Sequence, residues 1–202
     1  MGNCDITDGR LFADCFERAG VKTVFFFRHS LLKPTKNPNG EIDYFGNGTL
    51  FRFEQDNDHG LAIQEIVKGD GTTYVNFQID MTLFYLTPGY WQTINYLKNG
   101  LWAIFFLDYE DKIRLMGEAS PLQKIEGVDQ SGTLPDETMY INLVFHGMGD
   151  NYAPYLEPFT DYPFDNFPVQ VVPEYFAQPN DILANATDYI LIDNLGNKLS
   201  HG

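Results

Sequence analysis

From Tyr74 to Leu83 apolar and polar side chains alternate: Val75, Phe77, Ile79, Met81 and Leu83 interleave with Asn76, Gln78, Asp80 and Thr82. A period of two is that of a strand with one dry and one wet face. Leu61 to Val67 and Thr73 to Leu86 flank Lys68-Gly69-Asp70-Gly71-Thr72, whose Gly and Asp residues supply the backbone angles of a tight turn, so the spacing predicts a β-hairpin. The period then changes. Thr87-Pro88 is a helix-start signal and Asn99-Gly100 a stop, and between and just beyond them Tyr90, Ile94, Leu97 and Leu101 recur at helical spacing. One short amphipathic helix over 88–99, laid on a sheet, is expected.

Leu101 to Leu107 is continuously apolar, Asp108-Tyr109-Glu110-Asp111 breaks it, and Lys112 to Met116 alternates again, which predicts a second hairpin. Ser120 to Glu137 reads as a polar loop, with Pro121, Gly127, Gly132 and Pro135. Met139, Ile141, Leu143 and Phe145 mark the dry face of a closing core strand, with Asn142 and His146 on its other side.

Upstream, Leu11 to Ala19 has the makings of a helical turn, ended by Gly20. Val21 to Arg28 is strongly β-prone and hydrophobic on both faces, the mark of a buried strand. Leu32 to Gly48, with Pro34, Pro38 and Asn39-Gly40, reads as a loop with a short strand at Ile42 to Phe45, and Leu50 to Gln55 as another strand.

After Gly147 the pattern gives way to Pro154, Pro158, Pro163, Pro168, Pro173 and Pro179 set among tyrosines and phenylalanines. Proline at this density resists helix and central strand, while aromatics argue for docking. The expectation is a core domain over 1–147 and an extended arm over 148–202 that ends in a small hairpin around Asn194 to Asn197. The fold class is mainly β, a barrel or sandwich with one flanking helix and a C-terminal arm. The 17 Phe and 12 Tyr in 202 residues favour sheet over helical bundle.

Charge adds a constraint on partners. The chain carries 13 basic and 28 acidic residues, a net of -15, and residues 101–202 hold only Lys112, Arg114, Lys124 and Lys198 as bases. Nucleic-acid binding needs clustered cations at the phosphates, so such a surface repels nucleic acid; the default reading of the acidity is solubility, and a sharper one is a surface past which DNA slides without sticking. Cys4 and Cys15 are the only cysteines, and no stretch has the length of a membrane span or the pattern of a leader, so a reducing cytosol and no membrane are expected.

Catalytic patterns are not found. Ser30, Ser120, Ser131 and Ser200 lack the Gly-x-Ser-x-Gly setting, and Gly69-Asp70-Gly71 sits in a hairpin turn instead of ahead of a helix. Arg28-His29 resembles phosphohistidine phosphatases in those two residues alone, since Ser30 stands where their glycine follows. Glu54, Asp56, Asp58 and Glu65 fall at calcium-loop positions, but Gly60 is one place late. Cys4, Cys15 and His29 fit no standard zinc spacing. No enzyme, cofactor or metal is expected. The aromatics Tyr155, Phe159, Phe164 and Phe167 serve either to stack on sugars or to anchor the arm to its own core or a neighbour.

The start Cys4 to Arg10, the strand Gly20 to Val24 and the block Gln64 to Gly147 follow the element order of a known group. The chain resembles the tail tube proteins of long-tailed bacteriophages over roughly its first three quarters. The resemblance implies a structural virion protein, made in the host cytoplasm, that assembles into stacked rings, usually hexameric, around the channel for genome ejection, with other tail proteins as partners. It makes Asn76, Gln78, Asp80 and Thr82 candidate lumen-lining residues. Lys112, Arg114, Tyr155, Phe159, Phe164 and Phe167 become candidate subunit contacts. Another tail or neck ring, terminator or adaptor is the alternative, then a glycan-binding module.

Overall fold

The computed structural model describes residues 20–55, 60–69, 71–84, 88–130 and 140–172. The expected turn at 11–19, the terminal hairpin and both thiols lie outside those residues.

The strands are β1 (Val21–Arg28), β2 (Thr35–Lys36), β3 (Ile42–Tyr44), β4 (Gly48–Glu54), β5 (Leu61–Lys68), β6 (Thr73–Phe84), β7 (Trp102–Asp108), β8 (Ile113–Met116), β9 (Gln123–Gln130), β10 (Tyr140–Gly149) and β11 (Val169–Val172), with α1 (Pro88–Asn99) between β6 and β7. They form a five-stranded sheet in the order β11-β4-β1-β7-β8 and a four-stranded sheet in the order β5-β6-β10-β9, with β2 and β3 paired beside them. Among the described residues the result is a mainly β sandwich with one α-helix, and its sheets are not closed into a barrel.

The first core lies between the sheets. Val24, Phe26, Ile104 and Phe106 from one meet Phe77, Ile79, Met81, Leu143 and Phe145 from the other, while Ile94 and Leu97 of α1 close one end. Phe26 is the hub, its ring 5.0 Å from Phe145, 5.4 Å from Phe53 and 5.6 Å from Trp102. Burying a phenylalanine of this kind contributes roughly 1.5–3 kcal/mol. Gln55 tethers the two sheets, its side-chain oxygen accepting the Thr82 amide at 2.9 Å.

β1 is hydrophobic on both faces because a second core lies behind it, built on Phe25, Phe27, Leu50, Phe105 and Leu115. Ile42, Phe45, Leu156, Phe164 and Phe167 cover these residues from the loop side. Residues 154–157 add a strand-like edge: Leu115 N–H donates to the Pro154 carbonyl at 2.9 Å, Leu156 N–H to Ile113, and Ile42 N–H to Tyr155. The large sheet thereby continues from β8 through 154–157 to the β2–β3 hairpin. The protein has three layers: a small sheet, a large sheet, and an aromatic coat drawn from 32–47 and 152–168.

Several readings from the pattern need correction. Within the expected polar loop Ser120 to Glu137, Gln123–Gln130 is a strand, because β10 offers an unpaired edge and backbone pairing needs no apolar alternation. Inside the Leu32 to Gly48 loop, Thr35–Lys36 pairs with β3 around the Asn39-Gly40 turn. Leu101, expected on the apolar helix face, lies past the helix end and is 52 % exposed. That end is closed instead by Trp102, whose indole N–H donates to the Leu97 carbonyl at 2.8 Å. A Cβ at Gly100 would collide with the same indole, so glycine is required there.

Candidate functional site

The four-stranded sheet has one face in the first core and the other directed away from it. The register places Leu61, Ile63 and Glu65 of β5 opposite Asp80, Gln78 and Asn76 of β6. Those β6 residues in turn face Val144, His146 and Met148 of β10. Asn76, Gln78 and Asp80 are half-buried between their neighbours, and the Gln78 amide donates to Asp80 at 2.8 Å. Thr82 points the same way but is 7 % exposed and accepts from the Asn142 amide, so it drops out of an open face. Glu126 of β9, opposite Val144, completes the set. The register thus brings Glu65, Asp80, Glu126 and His146 to this face among the described residues, and no lysine or arginine. An anionic polymer meets no cationic hold on it.

One border of this face is β5. Among the described residues it is an edge strand, eight residues long, with Leu61, Ile63 and Ile66 exposed and no proline. An edge of this length, with unpaired backbone groups and exposed apolar side chains, is a template for pairing with another strand.

The six candidate contact residues fall into two groups. Phe164 and Phe167 are 3 % and 7 % exposed, and their rings sit against Phe45, Phe164 also against Phe25 at 4.8 Å and Phe105 at 5.4 Å. They serve this chain's own core and have no surface left for a second subunit. Phe159 is half-buried against the same cluster. Lys112, Arg114 and Tyr155 lie at the β8 border. The Arg114 guanidinium carbon sits 4.6 Å from the Tyr155 ring centre and 5.9 Å from that of Phe106, and a terminal nitrogen is 3.7 Å from Asp108. Lys112 is exposed; its hydrogen bond to Glu110, and then that group's charge, raise its pKa.

The loop that inserts Phe164 is organised by Asp165. Its carboxylate accepts from the Thr160 hydroxyl and from the amides of Thr160 and Asp161, while Phe164 takes a left-handed φ of 72°. The Thr160 hydroxyl first, then the Asp161 amide, lower the Asp165 pKa from 3.8 to about 2. Because the folded value is the lower one, the charged form's contribution is full above about pH 4 and fades as the pH falls toward 2. The protection factors of the Thr160 and Asp161 amides, taken against their intrinsic exchange rates at each pH, should therefore fall over that interval, and Asp165→Ala should show low protection already at pH 6. Unchanged protection at pH 2 would refute this account of the loop.

Among the described residues no three His, Cys, Asp or Glu side chains group as a metal site, and no helix is long and apolar enough to cross a membrane. Glu54 ends β4 and Glu65 is within β5, so helices do not flank the segment with calcium-like spacing. Neither a protein-family model nor a curated protein nor a solved structure matches the chain.

Proposed function

We propose that this chain is a self-assembling structural protein, the tail tube subunit of a long-tailed phage, whose rings stack around a channel for DNA. The observation that carries this reading is the outward face of the four-stranded sheet. Among the described residues it bears carboxylates, amides and a histidine beside Leu61, Ile63, Val144 and Met148, with no lysine or arginine, and it is bordered by the exposed edge strand β5. A ring requires a heterologous contact that closes by rotation, and joining sheets at their edges is one way to line such a ring with a continuous wall. The acidity of the whole chain, -15, supports a wall that releases DNA. The element order from β5 through β10 supports the resemblance that suggested the role.

Electron microscopy of the purified chain is expected to show rings or tubes with a central channel, and virions are expected to carry the protein in many copies. A few copies per virion would move the role to a neck or terminator ring. A persistent monomer absent from virions would refute an assembly role altogether.

A further inference from the structure

A groove of about 700 Å³ opens where the C-terminal half of α1 and Trp102 pass Phe51 and Phe53 of β4 and the last residue of β1. Its floor is apolar, and Tyr96 and Leu101 stand on its rim, 73 % and 52 % exposed. Among the described residues Arg28 is the one charged group of its lining, and it has no carboxylate partner there. In a chain of net charge -15, an apolar trough edged by a guanidinium and free of acids is complementary to an acidic segment that presents an aromatic ring.

The loop 158–167 is such a segment. Residues 150–172 carry Asp150, Glu157, Asp161 and Asp165 and no Lys, Arg or His. Tyr162 at the loop's tip is 75 % exposed, with Asp161 exposed beside it. The tip is already ordered: the Tyr162 carbonyl accepts the Asp165 amide at 3.1 Å, the Asn166 side-chain amide donates to the Pro158 carbonyl at 2.8 Å, and buried Phe164 and Phe167 anchor the loop from below. An exposed tyrosine on a pre-ordered turn loses little freedom on docking, and tyrosine is a frequent anchor of protein contacts. The groove of its own chain lies on the other side of the large sheet. Phe51 and Phe53 share the inter-sheet face with Phe26 and Val24, their register partners, whereas Phe164 packs on Phe25 and Phe105 at the opposite face.

We infer that Tyr162 of one copy docks in the groove of a second copy, its ring on Phe51, Phe53 and Trp102 and Asp161 toward Arg28. Knob and groove are different surfaces, so the contact is heterologous and each copy both gives and receives, as a ring or a stack requires. The inference rests on the assembly reading, to which it adds a contact separate from the β5 edge. One such contact buries a single aromatic anchor, far less than a standard interface, so it fixes orientation alongside other contacts and gains from their multiplicity.

The test uses the full chain over a range of concentrations. A photoreactive benzoylphenylalanine placed at Tyr96, a position exposed enough to tolerate it, is irradiated and the products are mapped by mass spectrometry. The expected product has the mass of two chains and joins position 96 to a residue within 158–163. Tyr162→Ser should lower its yield about tenfold, as loss of an anchor does. Arg28→Glu and Asp161→Arg should each lower it as well, and mixing the probe-bearing Arg28→Glu chain with the Asp161→Arg chain should restore it, because the exchanged charges then meet. Rings or tubes that form without this crosslink, or a yield unchanged by Tyr162→Ser, would overturn the contact and leave the assembly reading standing. A chain that stays monomeric at every concentration would overturn both. Crosslinks found only within one chain, or only to 1–19 or 173–202, would also overturn the contact.

Discussion

Replacing Phe164 by alanine should lower the unfolding free energy by about 3–5 kcal/mol, the range for removing a ring from a packed core. For a domain of this size that is a fall in Tm on the order of 10 °C. The ring lies in edge or near-edge contact with Phe25, Phe45, Phe105 and Phe167, and its site cannot collapse because the large sheet forms one wall. Alanine keeps the left-handed backbone of the position, so the comparison isolates the lost ring. Tyr162→Ala, two residues earlier and 75 % exposed, should change stability by less than about 0.5 kcal/mol. Thermal and denaturant unfolding measure both. A loss below 1 kcal/mol for Phe164→Ala would mean that the loop 158–167 opens without disturbing the fold.

The second large effect is on assembly. Leu61→Lys combined with Ile63→Lys places two ammonium groups on the outward face of β5, and edge lysines are a recurrent block to strand pairing. Both side chains are exposed, 47 % and 38 %, and neither belongs to a core cluster, so the isolated chain should keep its Tm within about 2 °C. Rings or tubes seen for the unaltered protein should be absent for the variant by electron microscopy and sedimentation. Unaltered assembly of a folded double variant would remove β5 from the subunit contact and leave the Lys112, Arg114 and Tyr155 border as the next place to alter.

These two predictions fall on opposite sides of what could be read from the chain. The exposed β5 follows from local pattern: its partner β6 alternates without error from Tyr74 to Leu83, and the Gly-rich turn fixes the pairing. The same holds for α1, whose start and stop residues bracket the observed Pro88–Asn99, and for β1, whose two apolar faces announced burial on both sides. Phe164 is different. Nothing in Tyr162-Pro163-Phe164-Asp165 distinguishes an aromatic that faces a partner from one that enters its own core. The choice depends on the back of the large sheet, more than fifty residues earlier in the chain at Phe105.

β9 was hidden for a related reason. Gln123 to Gln130 has no apolar alternation, and its strand exists because β10 leaves a row of unpaired donors and acceptors beside it. The exposed position of Leu101 was equally illegible, since the helical period placed it on the core side. The helix in fact ends at Asn99, and Trp102 takes the place at its end.

By itself, then, the sequence determined the elements whose apolar period is intrinsic: the hairpins, the helix, the doubly buried strand and the wet face of β6. Local periodicity needs only neighbouring residues to show itself. The tertiary structure decided which surfaces stay open, because burial of Thr82, Phe164 and Phe167 and exposure of Leu61 and Leu101 depend on what packs across from them. Those contacts join residues far apart in the chain, where no local pattern records them.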